Sequence, residues 1–219
     1  MPNWYPMLLK MDGRKCVVCG GGRVAERKAA GLLEANADVT VVSPRSSDAI
    51  RGWSDAGRLR WLPREAEEDD MIGATLVFAA TDKPDVNRRI LEASARLGIP
   101  ANLADDGENG DFLVPATLRR GGLVLAASST GAGPALASRI VGELAERYGE
   151  IYNEYVEALR KIRAIVKAEV ADPAERRALL RASVSEEALA EWRSYGELND
   201  HHRLVARLRQ LASERDRKG

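Results

Sequence analysis

Cysteine is scarce in this 219-residue chain, with only two, which excludes a disulfide framework. An excess of either charge is also missing: 33 basic residues balance 33 acidic ones. A protein whose task is to neutralise many phosphates carries a basic surplus, so nucleic acid is not an expected partner. Neither half of the chain is a charged tail. No run approaches the ~18 apolar residues of a membrane span, and no charged region followed by an apolar core opens the chain. Membrane partners are therefore not expected, and a cytoplasmic location is. Internal repeats and low-complexity linkers are lacking as well. What is there is 45% hydrophobic and 30% charged, the composition of a folded protein able to bury a core without disulfides or metal.

Cys16 and Cys19 form C-V-V-C, which invites a redox reading. Their setting argues otherwise. The β-branched run Lys15–Cys19 reads as a buried strand, where residues three apart face opposite ways. A redox pair needs a helix N-terminus that stabilises a thiolate.

Strand and helix patterns alternate from there. A helix is predicted over 24–36, with Ala29, Leu32 and Leu33 at core spacing, then a strand at Asp38–Val42. Short strands follow at 59–62, 75–80 and 100–104, with a helix at 84–97 whose stripe is Val86, Ile90, Leu91 and Ala95. Such alternation implies a parallel sheet with right-handed crossovers. Segments 112–115 and Leu123–Ala127 read as two more strands, separated by Arg119-Arg120-Gly121-Gly122, and 134–148 as a helix opened by Pro134. From Gly149 the chain is helical and highly charged, with Pro173 its single internal proline. The fold class expected is α/β: a Rossmann-like parallel sheet over 1–114, a small α+β segment over 115–148 and a helical domain over 149–219.

Gly20-Gly21-Gly22-Arg23-Val24-Ala25 fits G-x-G-x-x-A. Its context gives the match weight, because it follows a strand, opens a helix and lies in a β-α-β unit. Gly20 suits the tight turn, Gly22 lets a pyrophosphate approach the backbone, and Ala25 allows close helix–sheet packing. The helix N-terminus supplies N–H donors. Gly20, Gly21, Gly22, Arg23 and Val24 are thus candidate cofactor residues. The second strand ends at Val42-Ser43-Pro44 rather than at an acidic residue. Ser43 can hydrogen-bond a ribose but does not repel a 2′-phosphate, and Arg45 would tolerate one, so the loop by itself leaves NAD and NADP open.

These segments carry a family resemblance. Tyr5-Pro6-Met7-Leu8-Leu9 precedes a Gly-Arg-Lys strand, and Gly20-Gly21-Gly22-Arg23-Val24-Ala25-Glu26-Arg27-Lys28 follows it. Val42-Ser43-Pro44, Ala79-Ala80-Thr81-Asp82 with Val86-Asn87, and Asn102-Leu103-Ala104-Asp105 come next. Phe112-Leu113-Val114-Pro115-Ala116 and Ser128-Ser129-Thr130-Gly131-Ala132-Gly133-Pro134 complete the series. In order and spacing this chain resembles the precorrin-2 dehydrogenase and sirohydrochlorin ferrochelatase family, which includes the N-terminal module of siroheme synthases. The resemblance covers residues 5–148. It implies NAD-dependent oxidation of precorrin-2 to sirohydrochlorin, with ferrous iron insertion in some members. It also implies a homodimer held by the 115–148 segment, and tetrapyrroles as partners. With no methyltransferase portion in these residues, precorrin-2 is expected from a separate protein.

Oxidising a reduced tetrapyrrole removes a hydride and a proton, and the proton needs a base. Asp105 follows the last Rossmann-like strand, on the carboxyl side where ligands bind, and the family's functional aspartate falls on it. Asp105-Asp106-Gly107 also reads as turn chemistry, and Asp106 is the fallback. The resemblance places Thr81, Asp82 and Asn102 beside the nicotinamide, though each also suits a strand end. Ser129 matches a serine near the substrate, though Ser128–Gly133 equally suits a helix cap. Arg119 and Arg120 are candidates for the substrate carboxylates. His201-His202 lacks a third ligand at suitable spacing, so no metal site is expected. The alternative function is a non-enzymatic dinucleotide- or tetrapyrrole-binding regulatory protein. Against it, Ser43 stands where dinucleotide sensors carry an acid.

Overall fold

The computed structural model describes residues 3–104, 109–192 and 200–218, the side chains of 215–218 excepted. The chain divides into two compact units, one of Met1–Val114 with Ser129–Gly133 and one of Pro115–Ser128 with Pro134–Gly219.

The first unit is a five-stranded sheet in the order β3-β2-β1-β4-β5. Its strands are β1 (Lys15–Cys19), β2 (Asp38–Val42), β3 (Arg60–Leu62), β4 (Leu76–Ala79) and β5 (Ala101–Leu103). Every pairing is parallel. β1 lies between β2 and β4, and its last four residues are buried, the continuous apolar run that a strand covered on both faces requires. Side chains alternate between two cores. Cys16 and Val18 pack with Ala25, Ala29 and Leu32 of α1 (Arg23–Glu34), whereas Val17 and Cys19 pack with Ile90 and Ala93 of α4 (Pro84–Arg96). The two thiols are therefore buried on opposite faces, free and unable to pair. Burial raises Cys16 to about 11 and Cys19 to about 12, with Asp38 and Asp70 respectively adding to the rise. Neither is a redox centre.

Two short helices were not read from the sequence pattern. α2 (Asp48–Asp55) is capped by Ser47, whose hydroxyl accepts from Ile50 N, and it buries Ile50. α3 (Glu68–Met71) is a single turn closed by a capping box between Glu67 and Asp70. Asp70 also takes two hydrogen bonds from Arg64, at 2.6 and 2.8 Å, which hold its carboxyl below the usual range. Both helices are too short for a helical period to stand out.

The strand expected at 112–115 is not formed. That stretch runs past β5 as extended chain: Asp111 N donates to Ala101 O, the Asp111 carboxylate accepts from Ala101 N, and Phe112 sets its ring edge-on to Phe78 at 5.4 Å. The strand begins one residue after Pro115, which has no N–H to give a ladder. It is β6 (Ala116–Arg120), paired antiparallel with β7 (Leu123–Ala127) through the two-residue turn Gly121-Gly122. Gly121 has φ +54°, the left-handed geometry that such turns demand.

In the second unit this hairpin packs with α5 (Pro134–Arg147) and with α6 (Ile151–Glu169). A Cβ on Gly122 would lie 2.9 Å from Val156 Cγ1, so the turn fits tightly against α6. α6 joins α7 (Pro173–Ala182), α8 (Glu186–Trp192) and α9 (His201–Lys218) around Ile162, Val166, Leu179, Trp192, Leu204 and Leu208. The Trp192 indole donates to Ser183 O at 2.9 Å, which satisfies its one donor inside that core. Among the described residues no helix is long and apolar enough to cross a membrane.

The thiols supply a test of this packing. Both are expected to resist a thiol reagent at pH 8 in the native protein and to react fully in urea. Their folded values lie above the ordinary thiol value of 9.0, so the native state holds protons that the unfolded chain releases. Their contribution is complete below pH ~9 and is lost as pH rises towards 11 and 12. The urea midpoint should fall over that window, and replacing both cysteines by alanine should flatten the fall. Fast native labelling at pH 8 would contradict the burial.

Candidate functional site

At the carboxyl edge of the sheet the chain turns from β1 into α1 through Gly20, Gly21 and Gly22, and each glycine is needed for a different reason. Gly20 has φ +130°, and a Cβ there would sit 2.2 Å from Ala80 O. At Gly21 a Cβ would meet Arg45 O at 1.9 Å. Neither position admits a side chain without moving backbone. At Gly22 nothing lies within 4 Å of an added Cβ. Gly22 is the N-cap of α1, and no side chain caps that end, so the first N–H donors of a 12-residue helix point outward without a side-chain acceptor.

A cleft of about 890 Å³ opens in front of this turn. The structure brings into it Gly20, Gly21, Gly22, Arg23, Val24, Ser43, Pro44, Thr81 and Asp82 of the residues singled out in the sequence. Arg45, which the sequence also placed near the ribose, lines it too, as do Ser46, Ser47, Glu65, Ala66, Lys83 and Val86. For Arg45–Ser47 a signal existed, since the Ser47 cap precedes Asp48 and Ile50. For Glu65 and Ala66 there was none, because they reach the cleft only through the register of β3 on β2.

Side chains hold the walls in place. The Ser43 hydroxyl donates to Arg45 O at 2.7 Å, and Ser47 N donates to Gly21 O at 2.8 Å, clasping the loop after β2 onto the glycine turn. On the other wall Asn87, buried in α4, grips Thr81 three ways. Its Oδ1 accepts from Thr81 N at 3.1 Å and from the Thr81 hydroxyl at 2.6 Å, and its Nδ2 donates to Thr81 O at 3.0 Å. Thr81 thus shapes the turn, while Asp82 stays exposed in the cleft. Lys83 Nζ lies 3.5 Å from Glu65 Oε1, an exposed pair of small energetic weight.

Other expected site residues lie elsewhere. Asn102 is 2% exposed and does not line the cleft; its Nδ2 donates to Phe112 O at 2.8 Å, and its Oδ1 has no partner among the described residues. Ser129 caps a turn, its hydroxyl accepting from Gly133 N at 3.0 Å. The Arg120 guanidinium donates to Tyr148 O at 3.1 Å and pairs with Glu150 at 3.3 Å, anchoring the hairpin within its own unit. Arg119 is exposed on β6. Asp105 and Asp106 lie outside the described residues. His201 sits at the exposed start of α9, 3.2 Å from Glu169. Among the described residues no group of three or more His, Cys, Asp or Glu is placed to hold a metal.

The cleft fits a dinucleotide on its own geometry: an open space where only a missing Cβ stands, uncapped helix N–H groups, and Arg23 at the helix start. The family model described as "Putative NAD(P)-binding" matches residues 7–116. Siroheme synthase 1 of Aeromonas salmonicida is 32% identical over 99% of this chain and 46% of its own length. Precorrin-2 dehydrogenase of Priestia megaterium is 33% identical over 74% of this chain and 80% of its own length. The chain belongs to the precorrin-2 dehydrogenase family. It spans less than half the length of the siroheme synthase from Aeromonas and 38% of that from Nitrosospira multiformis, to which it is 37% identical. The solved structure of SirC, a precorrin-2 dehydrogenase, aligns over 94% of this chain and all of its own, with a TM-score of 0.72 and 27% identity. The chain therefore carries a nicotinamide-dinucleotide-binding domain, with α1 and the glycine turn at its centre.

The glycines separate packing from binding. Gly21→Ala should lower stability by about 2–3 kcal/mol, because a methyl group driven into a carbonyl cannot relax cheaply. Gly22→Ala should keep stability within about 1 kcal/mol and still raise the dinucleotide Kd about tenfold or more, because its methyl enters the space reserved for the ligand. Urea melts and calorimetric titration read the two effects. Equal behaviour of the two variants would refute the distinction.

Proposed function

We propose that this protein oxidises precorrin-2 to sirohydrochlorin in siroheme biosynthesis, in the cytoplasm, with NAD as the acceptor. The observation that carries the reading is the dinucleotide cleft with its open Gly22 face, in a chain of this family. A bound nicotinamide ring would supply the hydride acceptor, at its C4. The chain's own part is positional and acid–base. α1 and Arg23 would hold the pyrophosphate, the Ser43–Ser47 loop the adenosine ribose, and the Thr81–Asp82 turn the approach to the nicotinamide. Asp105, two residues beyond β5 in the chain, would accept the proton released with the hydride. Buried Asn102, two strands from β1 in the sheet, would position that segment rather than touch the cofactor. Ser129 and Arg119 would meet the substrate, Arg119 through its carboxylates, while Arg120 holds the hairpin in shape.

Ferrous iron insertion is the further activity open to the same base, because two pyrrole protons must leave as the metal enters. The hairpin and α5 are proposed as a homodimer interface. A two-stranded sheet has no further strand on either edge and is marginal alone, and α5 leaves Leu136 and Ile140 exposed.

Anaerobic incubation with precorrin-2 and NAD is expected to give NADH and the sirohydrochlorin spectrum in equal amounts. Asp105→Ala should lower the rate by 10²-fold or more, the usual worth of a positioned base, while NAD still binds. No NADH from the wild-type chain would sink the dehydrogenase, and an unchanged rate in the variant would remove Asp105. Ferrous ion added to sirohydrochlorin, compared with the uncatalysed rate, decides the chelatase. Sedimentation at micromolar concentration should show a dimer; a monomer there would refute the interface.

A further inference from the structure

We infer that Arg27, on the outward face of α1, binds a carboxylate of the anionic substrate in a hollow that continues the dinucleotide cleft. This rests on the function proposed above and adds to it a residue that grips the substrate. A second cavity, of about 510 Å³, is lined by Arg23, Val24, Glu26, Arg27 and Ala30. Arg23 and Val24 also line the dinucleotide cleft, so the two spaces share a wall. Arg27 lines the second space alone. A large substrate that hands a hydride to a bound dinucleotide has to lie against it, and this hollow adjoins the dinucleotide's own cleft.

The spacing along α1 accounts for the hollow. Ala25, Ala29 and Leu32 are the buried residues of this helix and pack with Cys16 and Val18 of β1. Arg23, Arg27 and Ala30 stand at i, i+4 and i+7 on the opposite side. Val24 and Ala30 are half-buried and Arg27 is exposed. Short side chains at Val24 and Ala30 leave room that the long side chains of Arg23 and Arg27 border.

Charge selects what the hollow takes. A helix N-terminus carries partial positive charge, where cations are disfavoured, and like charges at i, i+4 repel. α1 nonetheless begins with Arg23, carries Arg27 one turn later, and has no basic residue in its last turn, where one would be favoured. Among the described residues neither guanidinium has an anionic partner. Glu26 is the one acid among the five lining residues, so the lining is net positive. An anion relieves both repulsions at once, and a guanidinium meets a carboxylate with forked, charge-assisted hydrogen bonds. Arg23 serves the pyrophosphate. Arg27, four residues on and about 6 Å further along the helix axis, takes the second anion. The substrate's carboxylates are the anions that have to lie beside the cofactor.

Titration of the full chain with sirohydrochlorin, followed by absorbance, and with NAD, followed by calorimetry, tests this. Arg27→Ala should raise the sirohydrochlorin Kd about tenfold, the worth of one charge-assisted contact, and leave the NAD Kd within about twofold. The same variant should raise the KM for precorrin-2 and leave kcat close to the wild-type value, the mark of lost uniform binding. Alanine is the best helix former, so α1 should keep its structure, which a urea melt checks. Arg27→Lys should restore part of the affinity. The sirohydrochlorin Kd should rise more steeply with salt in the wild type than in Arg27→Ala. Arg58 is an exposed arginine of the same unit that lines neither space, and Arg58→Ala should leave both Kd values unchanged. An unchanged sirohydrochlorin Kd in Arg27→Ala would overturn the inference. So would an equal loss in Arg58→Ala, or an equal weakening of NAD in Arg27→Ala. A wild-type chain that binds NAD but no sirohydrochlorin would overturn the proposed function as well.

Discussion

The cleft depends on one steric constraint, the approach of backbone to backbone at the end of β1. The Gly20 Cα faces the Ala80 carbonyl and the Gly21 Cα faces that of Arg45, both at separations where a methyl group has no room. Because β1 is central, those carbonyls belong to its two neighbours' exits: Ala80 follows β4 and Arg45 follows β2. The glycine turn is therefore a keystone between two loops. Its third glycine needs no room for protein and leaves room for something else.

That arrangement orders the rest of the site. The loop after β2 is held down by Ser43 and by the Ser47–Gly21 hydrogen bond, and the loop after β4 by Asn87 on Thr81. Polar side chains spent on backbone in this way rigidify the walls and leave few charges for ligands. Arg23, Arg45 and Lys83 are the cations lining the cleft, against Glu65 and Asp82. Zero net charge for the whole chain is compatible with a cleft tuned to anions, because affinity for phosphates depends on where a few cations stand.

Legibility in the sequence followed length and period. β1 and β2 carry runs of β-branched residues and were readable to the residue, and α1 and α4 to within two residues at either end. α2 and α3 were not readable, because helices of eight and four residues span about two turns or one. The apolar run at 112–115 looked like a strand for a sound local reason, but its apolar anchor, Phe112, is used against Phe78 while Pro115 delays the ladder. In the site, the glycine turn and the Thr81–Asp82 segment were visible as motifs. Glu65 was not, since nothing local marks a residue that reaches a cleft only because β3 pairs with β2 in one register.

By itself the sequence determined the alternation of strand and helix, the glycine turn, the burial of both cysteines and the missing acid after β2. These are local properties, set by side-chain shape, period and backbone freedom. Tertiary structure decided which candidates share a place. It set Ser43, Arg45, Thr81 and Asp82 around one cleft and left Asn102 buried outside it. It also turned Arg120 inward onto Tyr148 and Glu150. Packing and strand register, which join residues far apart in the chain, govern those choices.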